Sequence, residues 1–212
     1  MINSVIYAKN LLQIKAIVIN LQNLFTWASG IKSPIYCDNR IALSYPEARK
    51  HIISSLVKIS EKYPQTGVIA GVATAGISWG AILADHINKP FVYVRSQAKD
   101  HGKKNMIEGR LEEGSKVLIV EDLISTGGSS INCVNAVREQ NCEVIAVISL
   151  FNYNLKQALT NFQNAKCNFE SICDFDILVD EARKINYLND YEYNIIKDWK
   201  NDPENWYKNL NV

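Results

Sequence analysis

Two adjacent carboxylates, Glu121 and Asp122, stand between an apolar run and a stretch of glycines and hydroxyls. The run 117–120 is short, continuous and rich in β-branched residues, which predicts a strand buried on both faces of a parallel sheet. Ligands of open α/β sheets bind at the carboxyl ends of such strands, where acceptor-only side chains suit sugar hydroxyls or a hydrated magnesium ion. The acidic pair is therefore predicted to face a ligand.

The next six residues, 125–130, read Ser-Thr-Gly-Gly-Ser-Ser. Backbone N–H groups of such a turn can point inward at the start of a helix, and this geometry binds a phosphate monoester. No Lys follows the glycines and the G-x-G-x-x-G spacing is absent, so neither a P-loop NTPase nor a dinucleotide fold is indicated. With the acidic pair, the turn describes a ribose 5-phosphate site. The alternative is an acidic strand end before an ordinary glycine-rich turn.

A second turn of small residues, Gly-Val-Ala-Thr-Ala-Gly at 71–76, connects a predicted strand to a predicted helix. Its glycines let the backbone approach a ligand, Thr74 offers a hydroxyl, and the amides before the helix could hold an anion such as pyrophosphate. Close packing of the strand against the helix is the alternative explanation of the two glycines.

The polar segment 95–114 has no apolar periodicity, and a segment of this length inside a compact domain is normally functional or disordered. Between 95 and 110, five basic residues stand against two acidic ones, a net charge of +3. The basic residues are Arg95, Lys99, Lys103, Lys104 and Arg110, and the acidic residues are Asp100 and Glu108. A cationic lid would stabilise charge on departing pyrophosphate and exclude water, with His101 as proton donor or anion contact. A solvated charged loop is the alternative.

Residues 25–40 carry aromatic and β-branched side chains punctuated by glycine and proline, which predicts a flap of short strands with a tight turn. Tyr36 could stack on a planar acidic base, and Lys32 or Arg40 could supply positive charge to it. Aromatic residues that only pack at a sheet edge fit the same pattern.

The remaining apolar patterns predict the elements that must position these stretches. Strands at 68–72, 91–94, 117–120 and 144–151 alternate with helices, which indicates four parallel strands in an α/β sheet. Helices are predicted at 46–63, 76–88, 128–140, 154–165, 175–184 and 191–200, and a further strand at 168–172. Residues 4–22 repeat apolar positions at helical spacing and predict one packing helix.

The length of 212 residues and the hydrophobic fraction of 47% suit a single domain with a sizeable core. We divide it into a flap at about 20–45, a core at about 46–152 and a C-terminal tail at about 153–212. Lys and Arg total 23 against 22 Asp and Glu, a formal net charge of +1, so no global field favours nucleic acid or an anionic membrane.

Cysteine usage and hydropathy indicate the compartment. The five cysteines have neither C-x-x-C nor His-paired spacing, which argues against zinc and a disulfide framework and fits a reducing cytosol. No apolar run has the length of a membrane span, and the N-terminal stretch is interrupted by polar residues, so no signal peptide is predicted. We therefore expect a cytoplasmic protein.

Four stretches occur in an order that resembles one enzyme family. They are FTWASGIKSPIYCDNR, GVATAG, VRSQAKDHGKKNMIEG and VLIVEDLISTGGSS. The last is similar to the phosphoribosyl diphosphate motif of type I phosphoribosyltransferases, and together the four resemble the orotate phosphoribosyltransferases over roughly residues 20–152. The resemblance implies a type I phosphoribosyltransferase-like α/β fold: a central, mainly parallel sheet flanked by helices, with a small N-terminal flap (hood) and a helical C-terminal tail.

The resemblance also implies a magnesium-dependent pentosyltransferase of pyrimidine biosynthesis. Members of that family transfer the ribose 5-phosphate of phosphoribosyl diphosphate to orotate, giving orotidine 5′-monophosphate and pyrophosphate, and they are typically cytoplasmic homodimers. Magnesium would be held mainly through substrate and water near Glu121 and Asp122, with no direct protein ligand.

Site residues follow from the resemblance position by position. Asp122, Lys99 and His101 would be catalytic, the last two from a lid that reaches the neighbouring subunit's site. Orotate would contact Ser125, Tyr36 and Cys37. The contacts to phosphoribosyl diphosphate would be Thr74, Ala75, Arg95, Lys99, His101, Glu121, Asp122, Leu123, Ile124, Ser125, Thr126, Gly127, Gly128 and Ser129.

The chain departs from the family pattern at two places. Many members have Lys where Ala28 stands, and some have Arg where this chain reads Phe151-Asn152-Tyr153, so two expected anion contacts are missing. Two alternatives remain open. One is a purine-type or other phosphoribosyltransferase with the same sugar-phosphate site, against which the flap and lid sequences argue. The other is a non-catalytic phosphoribosyl diphosphate sensor that binds RNA, which the near-neutral charge disfavours.

Overall fold

The computed structural model describes residues 4–27, 30–97 and 106–209. The strands in these ranges are β1 (Ile17–Ile19), β2 (Phe25–Thr26), β3 (Lys32–Ser33), β4 (Ile35–Cys37), β5 (Val68–Val72), β6 (Phe91–Val94), β7 (Ile107–Glu108), β8 (Lys116–Ile124), β9 (Glu143–Asn152) and β10 (Phe169–Asp174). The helices are α1 (Ser4–Gln13), α2 (Pro46–Ser60), α3 (Ala75–His86), α4 (Gly128–Arg138), α5 (Lys156–Asn164), α6 (Phe175–Lys184) and α7 (Asp190–Trp199), with 3-10 helices at Asn39–Ser44 and Trp206–Asn209.

The central sheet has six strands in the order β10-β9-β8-β5-β6-β7. The first five run parallel, and β7 is antiparallel to β6. The four parallel strands predicted from the sequence are confirmed, and β10 adds a fifth. The further strand predicted at 168–172 is also confirmed: it is β10, which forms the edge of the sheet and pairs with β9 through Phe169 and Val147, so the tail is helical apart from this strand.

Helices cover both faces of this sheet, which explains why its inner strands are continuous apolar runs. Alternate residues of β8 enter different cores: Leu118 and Val120 pack with α1, α2, α3 and α6, whereas Val117 and Ile119 pack with α4 and α5. This alternation follows from the two-residue period of a strand. Because β5 and β8 pair as parallel neighbours, their carboxyl ends lie side by side at the same edge of the sheet.

The prediction of one helix over 4–22 was wrong beyond Gln13. Lys15 has φ of 56°, in the left-handed region, and the Ala16 amide donates to Leu11 O, so the helix ends in a tight turn. The β-branched residues 17–19 then form β1, which pairs antiparallel with β4. Branched side chains favour a strand once a partner is available, and the partner comes from the flap region.

The flap prediction is confirmed by β2 and β3, which pair through Phe25 with Ser33 and Thr26 with Lys32. The segment 95–114 is not wholly irregular, because β7 lies in it and the Arg95 amide donates to Met106 O. Residues 98–105 of that segment lie outside the described residues. Of the helices that the structure describes, none is long and apolar enough to cross a membrane.

Candidate active site

The acidic pair lies near the end of β8, but its two side chains have different environments. Glu121 is 5% exposed, and its carboxylate accepts from the Asp122 amide at 3.0 Å and from the Ser130 hydroxyl at 3.2 Å. These bonds hold Glu121 against the first turn of α4. Asp122 is half-buried and is the member of the pair that keeps access to the cleft.

Burial and mutual repulsion make this pair costly to ionise. Burial, followed by the negative charge of Asp122, raises the pKa of Glu121 well above its ordinary value, and burial likewise raises the pKa of Asp122. A nearby cation or hydroxyl donors would reduce the repulsion between two such carboxylates. The donor set therefore fits a hydrated magnesium ion and a ribose diol.

A buried hydrogen-bond chain supports the backbone at Asp122. The Asn39 amide nitrogen donates to the Asp122 carbonyl at 2.8 Å, and the Tyr7 hydroxyl donates to Asn39 Oδ1 at 3.0 Å. Burial raises the pKa of Tyr7, so its phenol remains a donor. Neither residue was predicted from the sequence. The only signals were a polar residue two positions after β4 and a tyrosine on the apolar face of α1.

The phosphate turn has the geometry that the sequence predicts. Gly127 has φ of 81°, and a Cβ built on it would lie 3.0 Å from the Phe162 ring, so the position requires glycine. The Thr126 carbonyl accepts from the Asn161 side chain at 2.9 Å, which fixes the turn. No side chain caps the N-terminus of α4, and Gly128 and Ser129 are exposed. The first amides of α4 are therefore available to an anion.

The glycines of the β5–α3 turn serve close packing, the alternative noted for this stretch. A Cβ on Gly76 would lie 2.5 Å from the Val120 carbonyl, and one on Gly71 would lie 2.9 Å from the Gly76 carbonyl. Between them, Thr74 is exposed and Ala75 is half-buried, with no side-chain cap on α3. The Ala73–Thr74 peptide bond is cis. The turn thus combines tight packing with exposed backbone groups.

One small cavity joins this turn to the phosphate turn. Its lining includes Ala73, Arg95, Ser129 and Asn132. Arg95 is half-buried, and its guanidinium lies 3.7 Å from the Glu108 carboxylate. The structure therefore brings together both predicted anion turns and one predicted lid cation. Lys99 and His101, the other predicted lid contacts, lie outside the described residues.

Two of the three predicted base contacts, Tyr36 and Cys37, lie on β4. Tyr36 is 42% exposed, and its ring centroid is 5.4 Å from that of Phe25. Burial, with the charge of Asp122 second, raises the pKa of the Cys37 thiol, which keeps it neutral. Ser125 is half-buried in the turn after β8. The three predicted base contacts therefore come from two elements, β4 and the turn after β8.

Lys32 and Arg40, the two basic residues predicted to supply charge to the base, already have polar partners. Arg40 holds Asp38 through contacts of 2.7 and 2.8 Å, and the Lys32 ammonium donates to the Thr26 hydroxyl at 2.7 Å. Ala28 lies outside the described residues. At the second departure from the family pattern, Phe151 and Tyr153 are fully buried, while Asn152 is 3% exposed and bonded to Asn154. Phe151 and Tyr153 therefore belong to the core, and Asn152 stabilises a turn.

Comparison with known proteins gives concordant matches. The family model of the phosphoribosyl transferase domain matches residues 43–178. The chain is 48% identical over 202 residues to an orotate phosphoribosyltransferase of Enterococcus faecalis, covering 95% of this chain and 96% of that relative. It is 46% identical over 202 residues to an orotate phosphoribosyltransferase of Phocaeicola vulgatus, covering 95% of each.

Solved structures share the fold. UMP synthase of Leishmania donovani superposes with a TM-score of 0.82 at 26% identity, over 93% of this chain and 42% of that longer one. Orotate phosphoribosyltransferase of Aeropyrum pernix superposes with a TM-score of 0.74 at 24% identity, over 86% of this chain and 99% of that one. The type I phosphoribosyltransferase fold expected from the sequence is therefore confirmed.

Proposed function

The chain belongs to the orotate phosphoribosyltransferases, and from that premise we propose that it works as a magnesium-dependent homodimer with the β8–α4 cleft as its sugar-phosphate site. Its reaction joins orotate to the ribose 5-phosphate of phosphoribosyl diphosphate, giving orotidine 5′-monophosphate and pyrophosphate in pyrimidine biosynthesis. Membership of this family favours orotate over the purine bases as the substrate. It also argues against the alternative of a non-catalytic sensor that binds RNA. One observation carries the site assignment: an acidic strand end runs directly into an uncapped helix N-terminus.

In this proposal the ribose lies against Asp122. Its carboxylate accepts the ribose hydroxyls, while Glu121, held by Ser130, lies beside it as a second acceptor. The 5′-phosphate lies on the turn 123–129, where the open amides of α4 and the hydroxyls of Ser125 and Ser129 can donate to its oxygens. This arrangement aims the anomeric carbon toward the flap.

The pyrophosphate lies on the other side of the ribose. Thr74 and Ala75 present backbone groups there, and Arg95 borders the same cavity as the phosphate turn. Magnesium would be held near Asp122 and Glu121 mainly through substrate oxygens and water, and it would neutralise charge on the pyrophosphate. Lys99 and His101 would add charge and a proton from the neighbouring subunit's lid.

The protein then acts by positioning and electrostatics. A ring nitrogen of orotate attacks the anomeric carbon and loses its proton, the bond from that carbon to the pyrophosphate oxygen breaks, and its electrons leave with pyrophosphate, which takes up a proton. Tyr36, Cys37 and Ser125 would orient the base, so that the nucleophile and the leaving group are in line through an oxocarbenium-like transition state. No covalent intermediate with the protein is required. We propose the cytoplasm as its location, a reducing environment that suits the five free cysteines.

Mixing two inactive variants tests the shared site. Lys99→Ala removes a lid charge and should lower kcat, and Asp122→Asn damages the ribose side. After subunit exchange, a mixed dimer should place both defects in one site and neither in the other. Equal amounts give half mixed dimers, each with one intact site, so orotate consumption should return to roughly a quarter of the wild-type value.

The matched control mixes Asp122→Asn with Asp122→Ala, which damages the same component in every site and should restore no activity. Subunit exchange is verified with a mass-tagged chain. A first mixture that stays inactive despite verified exchange would place each lid over the site of its own chain.

A further inference from the structure

The last residue of α7, Trp199, is bonded to the flap. Its indole nitrogen donates to the Lys32 carbonyl at 2.9 Å, across 167 residues of sequence. The Trp199 side chain has no exposed surface and Lys32 is half-buried, so this bond is partly shielded from water. Removing the donor of a partly buried carbonyl costs free energy, so the bond constrains where β3 lies.

Aromatic rings strengthen the same connection. The ring of Trp27, at the end of β2, lies 5.5 Å from the Trp199 ring and 4.6 Å from the Tyr153 ring. The Phe175 ring also packs against the Trp199 ring, with centroids 5.6 Å apart. The β2–β3 pair has only two residues in each strand, too few to hold a fixed position alone. Its position therefore depends on these contacts with the tail, in addition to the bond from the Asn20 amide to the Pro34 carbonyl beside β3.

The helix that carries Trp199 is itself firmly held. A capping box formed by Asn189 and Glu192 starts α7. Near its end, Lys197 and Lys200 both bond Asp176 on α6. The Trp206 indole nitrogen donates to Ile195 O at 3.2 Å and folds the following turn back onto the helix. Trp199 therefore projects from a rigid support.

The flap transmits this constraint to the base side of the cleft. Lys32 of β3 pairs with Thr26 of β2, and the neighbouring Phe25 ring lies 5.4 Å from the Tyr36 ring. We propose that Trp199 is a positioning residue for the base: it fixes the flap against α7 and so sets the position of Tyr36's ring partner. This inference rests on the proposed placement of orotate beside Tyr36.

Trp199→Phe tests the bond, because phenylalanine keeps an aromatic ring in the cluster but removes the N–H donor. The KM for orotate should rise roughly tenfold, the size expected when a partly buried carbonyl loses its donor, with the KM for phosphoribosyl diphosphate and kcat within about twofold of wild type. Hydrogen exchange should become faster at the amides of β2 and β3.

Trp206→Phe is the matched control, because it removes an indole-to-carbonyl bond in the same tail without touching the flap. It should leave both KM values and the exchange of β2 and β3 unchanged. A second variant, Trp27→Leu, loosens the flap from its own side at a half-buried position and should repeat the selective rise in the KM for orotate.

Equal effects of Trp199→Phe and Trp206→Phe, or a matching rise in both KM values, would overturn the inference. A wild-type protein that consumes no orotate would instead contradict the proposed function, so the two failures are distinguishable.

Discussion

The Asp122→Asn protein is expected to fold normally and to lose roughly a hundredfold or more of its kcat. Asparagine has nearly the same shape, and the bond from Asn39 reaches the backbone carbonyl of residue 122, so the local structure should survive. The amide cannot supply negative charge to the ribose hydroxyls or to magnesium as the anomeric carbon becomes positive. Steady-state kinetics with saturating substrates measures the loss.

Thermal unfolding of the same variant separates a chemical from a structural effect. The Tm should be unchanged or higher, because the substitution removes a carboxylate that repels the buried Glu121. Asp85→Asn, an equal change of charge at an exposed position late in α3, should keep wild-type kinetics. Near wild-type turnover by Asp122→Asn would show that this carboxylate has no catalytic role.

Gly76→Ala is expected to destabilise the protein by about 3 kcal/mol. The added methyl would lie 2.5 Å from the Val120 carbonyl, so either α3 or β8 must move, and both form the wall of the cleft. For a chain of this size the loss corresponds to a Tm lower by roughly 6–12 °C. Urea denaturation, fitted for the free energy of unfolding in water, measures it.

Gly67→Ala provides the control for this substitution. A Cβ there would lie at an ordinary 3.4 Å from the Lys116 carbonyl, so its free energy of unfolding should stay within about 0.5 kcal/mol of wild type. Equal stability of the two alanine variants would mean that α3 does not pack on β8 as closely as the structure has it.

The parts of the fold that were predictable depend on local pattern. Continuous β-branched runs predicted the four parallel strands, and turn residues predicted the flap. The end of α1 was not predictable in this way, since 17–19 also continue a helical spacing and become a strand only because β4 pairs with them. A partner eighteen residues away leaves no signal in a short window. The same limit hid β7, whose partner is β6.

The features of the candidate site likewise divide into those that the sequence predicts and those that only the fold reveals. The acidic pair and the glycine turn are contiguous, so their chemistry was visible in the sequence. The bonds from Tyr7 to Asn39 and from Asn39 to Asp122 cross 32 and 83 residues, and only the folded chain reveals them. The unequal environments of Glu121 and Asp122 likewise depend on Ser130 and the first turn of α4.

A competition between bases tests the central claim most directly. The purified protein is given phosphoribosyl diphosphate and magnesium with equal concentrations of orotate, adenine and hypoxanthine, and the products are separated by chromatography. Orotate should be consumed alone, with one orotidine 5′-monophosphate and one pyrophosphate formed per orotate, and a chelator should stop the reaction until magnesium is restored. Purine nucleotides formed while orotate stays unchanged, or turnover that is indifferent to the chelator, would contradict the account.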